Sequence, residues 1–184
     1  LFGMVLFMGL SVAVGTLLYS MRQLQIDGPE YSLIIDAKDL VADILPPPMF
    51  VVEAYLTATE TAAYPEEADA NTEMLKKLHA DYSARMAAWA TKPLPAATAS
   101  FVFGEYKQAS EAFWQHLFEV VVPQFKIAAV NGKETDLTEL RKRFRTQRAA
   151  VVHLVDMAHK DMTAVEARAA TTGTFYRSLA YTAS

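Results

Sequence analysis

The first charged side chain in the chain is Arg22, and everything from Leu1 to Met21 is apolar, small or hydroxylic. A helix needs about 20 such residues to cross a bilayer, so residues 1–22 are predicted to be one transmembrane helix. A secretory signal would have a shorter apolar centre and a small-residue cleavage site. Beyond it the pattern changes. Asp27-Gly28-Pro29 loosens the chain, and apolar residues then recur at helical intervals. Ile34, Val41, Leu45, Val52, Leu56 and Ala63 give a heptad-like stripe over residues 29–63. Tyr64-Pro65-Glu66-Glu67 closes that helix.

Leu75, Leu78, Tyr82, Met86 and Trp89 mark the inner face of a second helix over 69–90, and Thr91-Lys92-Pro93-Leu94-Pro95 is a loop. In a third helix over 100–130, Tyr106, Phe113, Val120 and Ile127 are seven apart, with Val102, Ala109, Leu117 and Gln124 between them. Pro123 is expected to kink it. Asn131-Gly132-Lys133 stops it. Thr135 or Asp136 can cap a fourth helix, with Glu139 placed to complete a capping box rooted at Asp136. The fourth helix, over 137–172, has an unbroken three-four seam: Leu137, Leu140, Phe144, Gln147, Val151, Leu154, Ala158, Asp161, Val165 and Arg168. The prediction is an all-α chain: one transmembrane helix over 1–22, then an extracytoplasmic up-down antiparallel four-helix bundle over 23–184. An even number of helices returns the chain to the side where it began, so a second span is expected to follow Ser184.

Composition narrows the chemistry. The 184 residues are 52% hydrophobic with 7 Gly and 8 Pro, which favours helix over sheet. A net charge of −4 with no basic stripe argues against nucleic acid. The absence of cysteine excludes disulfides, thiol catalysis, Cys-built zinc sites and covalent haem. His79, His116, His153 and His159 do not form the Glu-x-x-His pairs of a di-iron bundle. There is no nucleophile elbow or phosphate-binding glycine loop. No enzyme, metal or cofactor is expected.

The candidate site is the break in the first bundle helix at Pro46, Pro47 and Pro48, which reads as a ligand pocket, as a bend that only fits the helix to the bundle, or as a signalling hinge. Proline has no N–H, so the bonds to the carbonyls of Ala42, Asp43 and Ile44 cannot form. Leu45, Pro46 and Pro47 are pushed off helical angles by the proline that follows each of them. One helix therefore ends near Ile44, and another restarts with Pro48 at its first position. The notch has spare acceptors, with Asp39 and Asp43 nearby. It suits a donor or cationic group, and an anionic ligand would need a countercharge from elsewhere, such as Lys38 or Arg148. Phe50 and Glu53 lie just past the break, and Glu53 can reach its side. Trp114 offers an aromatic cage wall or an ordinary core residue. Gln147, Asp161 and Arg168 interrupt an apolar seam and are expected to fix register. Arg141, Lys142, Arg143, Arg145 and Arg148 form a solvated basic face.

The Leu-Pro-Pro-Pro break followed by an aromatic and Glu-Ala-Tyr-Leu, together with the span and bundle, resembles the extracytoplasmic sensor module of bacterial methyl-accepting chemotaxis proteins of the four-helix-bundle type. The resemblance implies a homodimer in the inner (cell) membrane. Its sensor domain would be periplasmic, bind a small molecule and pass a displacement down its helices. Sensor kinases and cyclases use similar input modules, and a protein-binding bundle without a small ligand is the other alternative. The ligand-binding residues expected are Asp43, Leu45, Pro46, Pro47, Pro48, Phe50, Glu53, Trp114 and Arg148.

Overall fold

The structure, a computed structural model, describes residues 2–24, 35, 38–40, 42 and 51–182. The proline break, with Asp43, Leu45 and Phe50, lies outside the described residues, as do Ile34 and Val41 of the first stripe. The chain is all-α: among the described residues there is no strand. It divides into two units, one of residues Asp39–Ala158 and one of Leu1–Lys38 with His159–Ser184.

In the second unit the described elements are α1 (Phe2–Leu24) and the C-terminal part of the last helix. Met4, Phe7, Met8, Leu10 and Leu18 of α1 are all exposed, the first at 79%. Among the described residues no helix is long and apolar enough to cross a membrane, so the expected span is not established.

The unit Asp39–Ala158 holds α2 (Val52–Ala63), a single 3₁₀ turn at Pro65–Glu67 and α3 (Ala68–Trp89). A helical rod follows over 96–131: α4 (Ala96–Phe101), α5 (Lys107–His116) and α6 (Val122–Asn131), joined by π turns at Val102–Tyr106 and Leu117–Val121. The last helix, α7 (Thr138–Thr182), contributes residues to both units. In the π turns the Lys107 N–H reaches back five residues to the Val102 carbonyl, and the Val122 N–H to that of Leu117. Each inserts one extra residue into the rod.

By their side-chain contacts α3 and the rod run antiparallel, as do the rod and α7. Along α3 and the rod, Asp69 meets Lys126, His79 meets Phe118, and Tyr82 meets Trp114. Along the rod and α7, Phe101 meets His153, Ser110 meets Gln147, and the Ala112 carbonyl accepts from Arg143. Leu75, Tyr82, Met86 and Trp89 of the expected α3 face are buried, and Leu78 is half-buried. The α7 seam is buried at Leu140, Gln147, Val151, Leu154 and Ala158.

Two expected stripes are corrected. On α2, Val52 and Leu56 are exposed (39% and 62%), as is Ala63; the buried side is Val51, Ala54, Thr57, Ala58 and Thr61. Small residues let α2 lie close to α3. The Thr61 hydroxyl donates to the Thr57 carbonyl at 2.7 Å, so its burial leaves no polar group orphaned. On the rod, Tyr106 and Phe113 are buried as expected, but Val120 and Ile127 are exposed. Their places are taken by Val121 and Ala128, and that of the interleaved Gln124 by Phe125, each one residue later. The π turn at Leu117–Val121 accounts for the shift, because one inserted residue moves the seam by one position.

The rod absorbs Pro123 in that same turn. A proline ring crowds the carbonyl four residues back and gives no donor, and the wider turn lies immediately upstream. Gly132 ends α6 at φ 64°, its N–H bonded to the Ala128 carbonyl at 2.8 Å. Asp136 caps α7 through a 2.9 Å bond from the Thr138 N–H. The capping box is half made: the Asp136 N–H goes to Gln124 Oε1 and Glu139 turns to Arg143. The helix continues past the expected end at 172, to Thr182.

Candidate functional site

From the sequence, the break suits a donor or cationic group, and an anionic ligand needs a countercharge from elsewhere in the bundle. Just upstream of the prolines, the structure has a mixed-charge notch. Residues 38–40 and 42 are helical, and Asp39 and Ala42 form one wall of a cavity of about 360 Å³. The opposite wall comes from the end of α3, where Arg85, Ala88 and Trp89 share a face at i, i+3 and i+4. Lys92 closes it from the following turn, its N–H bonded to the Trp89 carbonyl at 3.1 Å. Trp89 is the buried floor at 3% exposure, whereas Asp39, Arg85 and Lys92 are exposed. Lys92 also sits where a helix C-terminus favours a cation.

One carboxylate and two cations around an indole floor can hold a small molecule that carries both charges. The anionic part would face Arg85 and Lys92, and the cationic part Asp39. Neither Arg85 nor Lys92 was among the site residues expected from the sequence. Arg85 lies near the end of α3 with Trp89, and Lys92 in the loop 91–95 that follows; no spacing in the sequence ties either of them to the break.

The described residues of the expected site are placed separately. Glu53 is exposed in the first turn of α2, and Arg148 is exposed on α7. Trp114 is in the core at 4% exposure. Its ring lies 5.0 Å from that of His79, 5.5 Å from Phe113, 6.0 Å from Phe118 and 6.1 Å from Tyr82. Those neighbours fill the space a cage would need, so Trp114 is a packing residue. Burial holds the His79 imidazole below its ordinary value.

Beside this cluster is a second group that the sequence did not reveal as a unit. Tyr82, Tyr106, Ser110 and Gln147 are buried together in the interior, and Gln147 Nε2 donates to Ser110 Oγ at 3.3 Å. Burial pushes the Tyr82 hydroxyl up to about 12, with the Ser110 hydroxyl opposing the shift and Glu111 adding to it. Burial first, and then the charge of Tyr82, raise Tyr106 well above an ordinary tyrosine. Both phenols therefore stay neutral donors at any physiological pH. Among the described residues no group of three or more His, Cys, Asp or Glu side chains is placed to hold a metal ion. No family model, no curated protein and no solved structure matches the chain.

Proposed function

We propose that the chain is the sensor module of a membrane-anchored receptor. In this reading Asp39–Ala158 is an antiparallel four-helix bundle, and a small ligand bearing both an anionic and a cationic group binds at the Asp39–Arg85–Lys92 notch. The observation that carries the reading is the position of that cavity. It joins the helix leading into the triple-proline break to the end of α3, so a ligand would bridge a segment weakened by lost backbone bonds and a segment held by the core. A ligand can shift a conformational equilibrium only by its differential affinity for two states, and such a bridge supplies that difference.

The anchor rests on the uncharged sequence before Arg22 and on α1 itself. The exposed apolar side chains of Met4, Val5, Phe7, Met8 and Leu10 are spread around its axis. A helix apolar on all sides needs an apolar environment. The extracytoplasmic placement and the homodimer come from the resemblance to chemotaxis receptors.

Thermal unfolding of the detergent-solubilised chain, with glycine, aspartate, succinate and ethylamine as separate probes, tests the ligand class. A compound with both charges at 100 times its dissociation constant should stabilise by about 2.7 kcal/mol. Asp39→Ala and Arg85→Ala should abolish the effect while leaving the unliganded transition in place. Stabilisation by none of the probes, or stabilisation unchanged in both variants, would refute the reading.

A further inference from the structure

A second opening, which shares no residue with the notch, lies between the rod and α7. It is a groove of about 400 Å³, with Phe101, Glu105 and Ala109 on one side and Thr146, Ala149, Ala150 and His153 on the other. The π turn Val102–Tyr106 shapes the first side. In a uniform α-helix, Phe101 and Ala109 are eight residues apart and would be turned from each other by about 80°. The one extra residue makes that interval count as seven, close to two full turns, so Phe101 and Ala109 line up with Glu105 between them. On α7 the spacing i, i+3, i+4 and i+7 puts the other four residues on one face. The three alanines keep the groove open, and the His153 ring closes one end by meeting Phe101 edge-on at 4.7 Å. The volume is in the range of small-molecule sites.

The polar groups of this groove call for a donor. Glu105 is exposed and, among the described residues, makes no ion pair. The Thr146 hydroxyl gives its proton to the Lys142 carbonyl at 3.3 Å, which leaves its oxygen as an acceptor. The lining holds no lysine or arginine, and Lys142, one turn before Thr146, is turned to Glu139 at 3.8 Å. A carboxylate ligand therefore finds no countercharge here, whereas an ammonium finds Glu105. We propose that this groove is a second ligand site, for a small aromatic amine. The ring packs on Phe101 and the alanines, and the ammonium donates to Glu105 and Thr146. Phe101 and Glu105 are about one helical turn apart, so a short chain between ring and ammonium lets one molecule reach both. The site differs from the notch in place and in ligand class, and it rests neither on the notch nor on the sensor reading.

Phenethylamine is the probe, with ethylamine (no ring) and phenylacetate (a carboxylate for the ammonium) as controls, titrated calorimetrically into the detergent-solubilised full chain. Phenethylamine should bind about tenfold or more tighter than either control. Glu105→Gln keeps the shape, removes the charge and should weaken binding by about tenfold. Ala149 is exposed, so Ala149→Leu fills the groove from outside the core and should abolish binding. Asp39→Ala should leave phenethylamine binding unchanged. The chain has no cysteine, so Ala149→Cys provides a single thiol, and phenethylamine should slow its labelling by a maleimide several-fold. No binding of phenethylamine, unchanged affinity in Glu105→Gln, unslowed labelling of the thiol, or loss of binding in Asp39→Ala would overturn the site. Failure of the notch is read with doubly charged probes in Asp39→Ala and Arg85→Ala, so the two failures give different results.

Discussion

Deleting Gly104 should leave the protein as stable as before, although it removes a residue from the interior of a helix. Gly104 lies in the π turn Val102–Tyr106, is exposed, and has open space around the position of an added Cβ. If that turn holds one residue more than an α-helix needs, removing it returns the Lys107 bond to the ordinary four-residue spacing. Thr98 and Val102 on one side and Tyr106 and Ser110 on the other all keep their buried places. Loss of a helical glycine adds a gain of up to about 1 kcal/mol, so the expected change lies within about 1 kcal/mol of zero. A plain α-helix would respond differently. Its upstream end would turn by about 100°, taking Val102 and Phe101 off the core at a cost of about 3–5 kcal/mol. Deletion of exposed Ala80 in α3 provides the scale. It would put Ser83, Ala87 and Ala90 where Tyr82, Met86 and Trp89 are now buried, costing about 5–9 kcal/mol, comparable with the whole stability of a domain. Urea unfolding followed by tryptophan fluorescence measures all of this, because both tryptophans are buried. A Gly104 deletion as damaging as the Ala80 deletion would refute the π-turn argument.

Gly132→Ala should lower stability by about 1–2 kcal/mol, since alanine is strained at φ 64°; equilibrium denaturation checks it. Stability should fall as pH drops below 6.5, because the unfolded chain takes up protons at histidines that burial keeps neutral in the fold. His79→Phe should shrink that slope to the part His116 contributes, whose value burial and then Arg143 also lower. At high pH the sign is opposite. Tyr82 and Tyr106 have raised folded-state values, so their stabilisation is intact below 10.0 and is lost as pH rises towards about 12. Ultraviolet absorbance should show these two phenols ionising after the exposed tyrosines.

The legible parts of the fold were those where large apolar residues do the packing. The α3 face and the α7 seam followed from spacing because the side chains buried there include Leu, Tyr, Met, Trp and Val, which are large and apolar. The α2 face was misread because Ala54, Ala58 and Thr61 are small, and a threonine bonded to its own helix behaves as an apolar residue. The seam beyond Leu117 was misread because a seven-residue count assumes a uniform helix. Pro123 announced a distortion but not its form. Of the notch, the negative wall was legible from Asp39. The positive wall was not, because Arg85 and Lys92 are brought to it by the way α3 ends beside the first bundle helix.

The buried Gln147–Ser110 contact also bears on which packing the molecule can choose. Most of the α7 seam is repetitive, and sliding the helix by seven residues would offer the core another set of Leu, Val and Ala. Gln147 breaks that equivalence: a slipped register would leave its amide facing side chains that cannot bond it, at about 1–3 kcal/mol. Replacing it with leucine would remove this discrimination between registers. The amide thus selects one alignment from a ladder of near-equals, a contribution to uniqueness that no stability measurement on the native state alone would reveal.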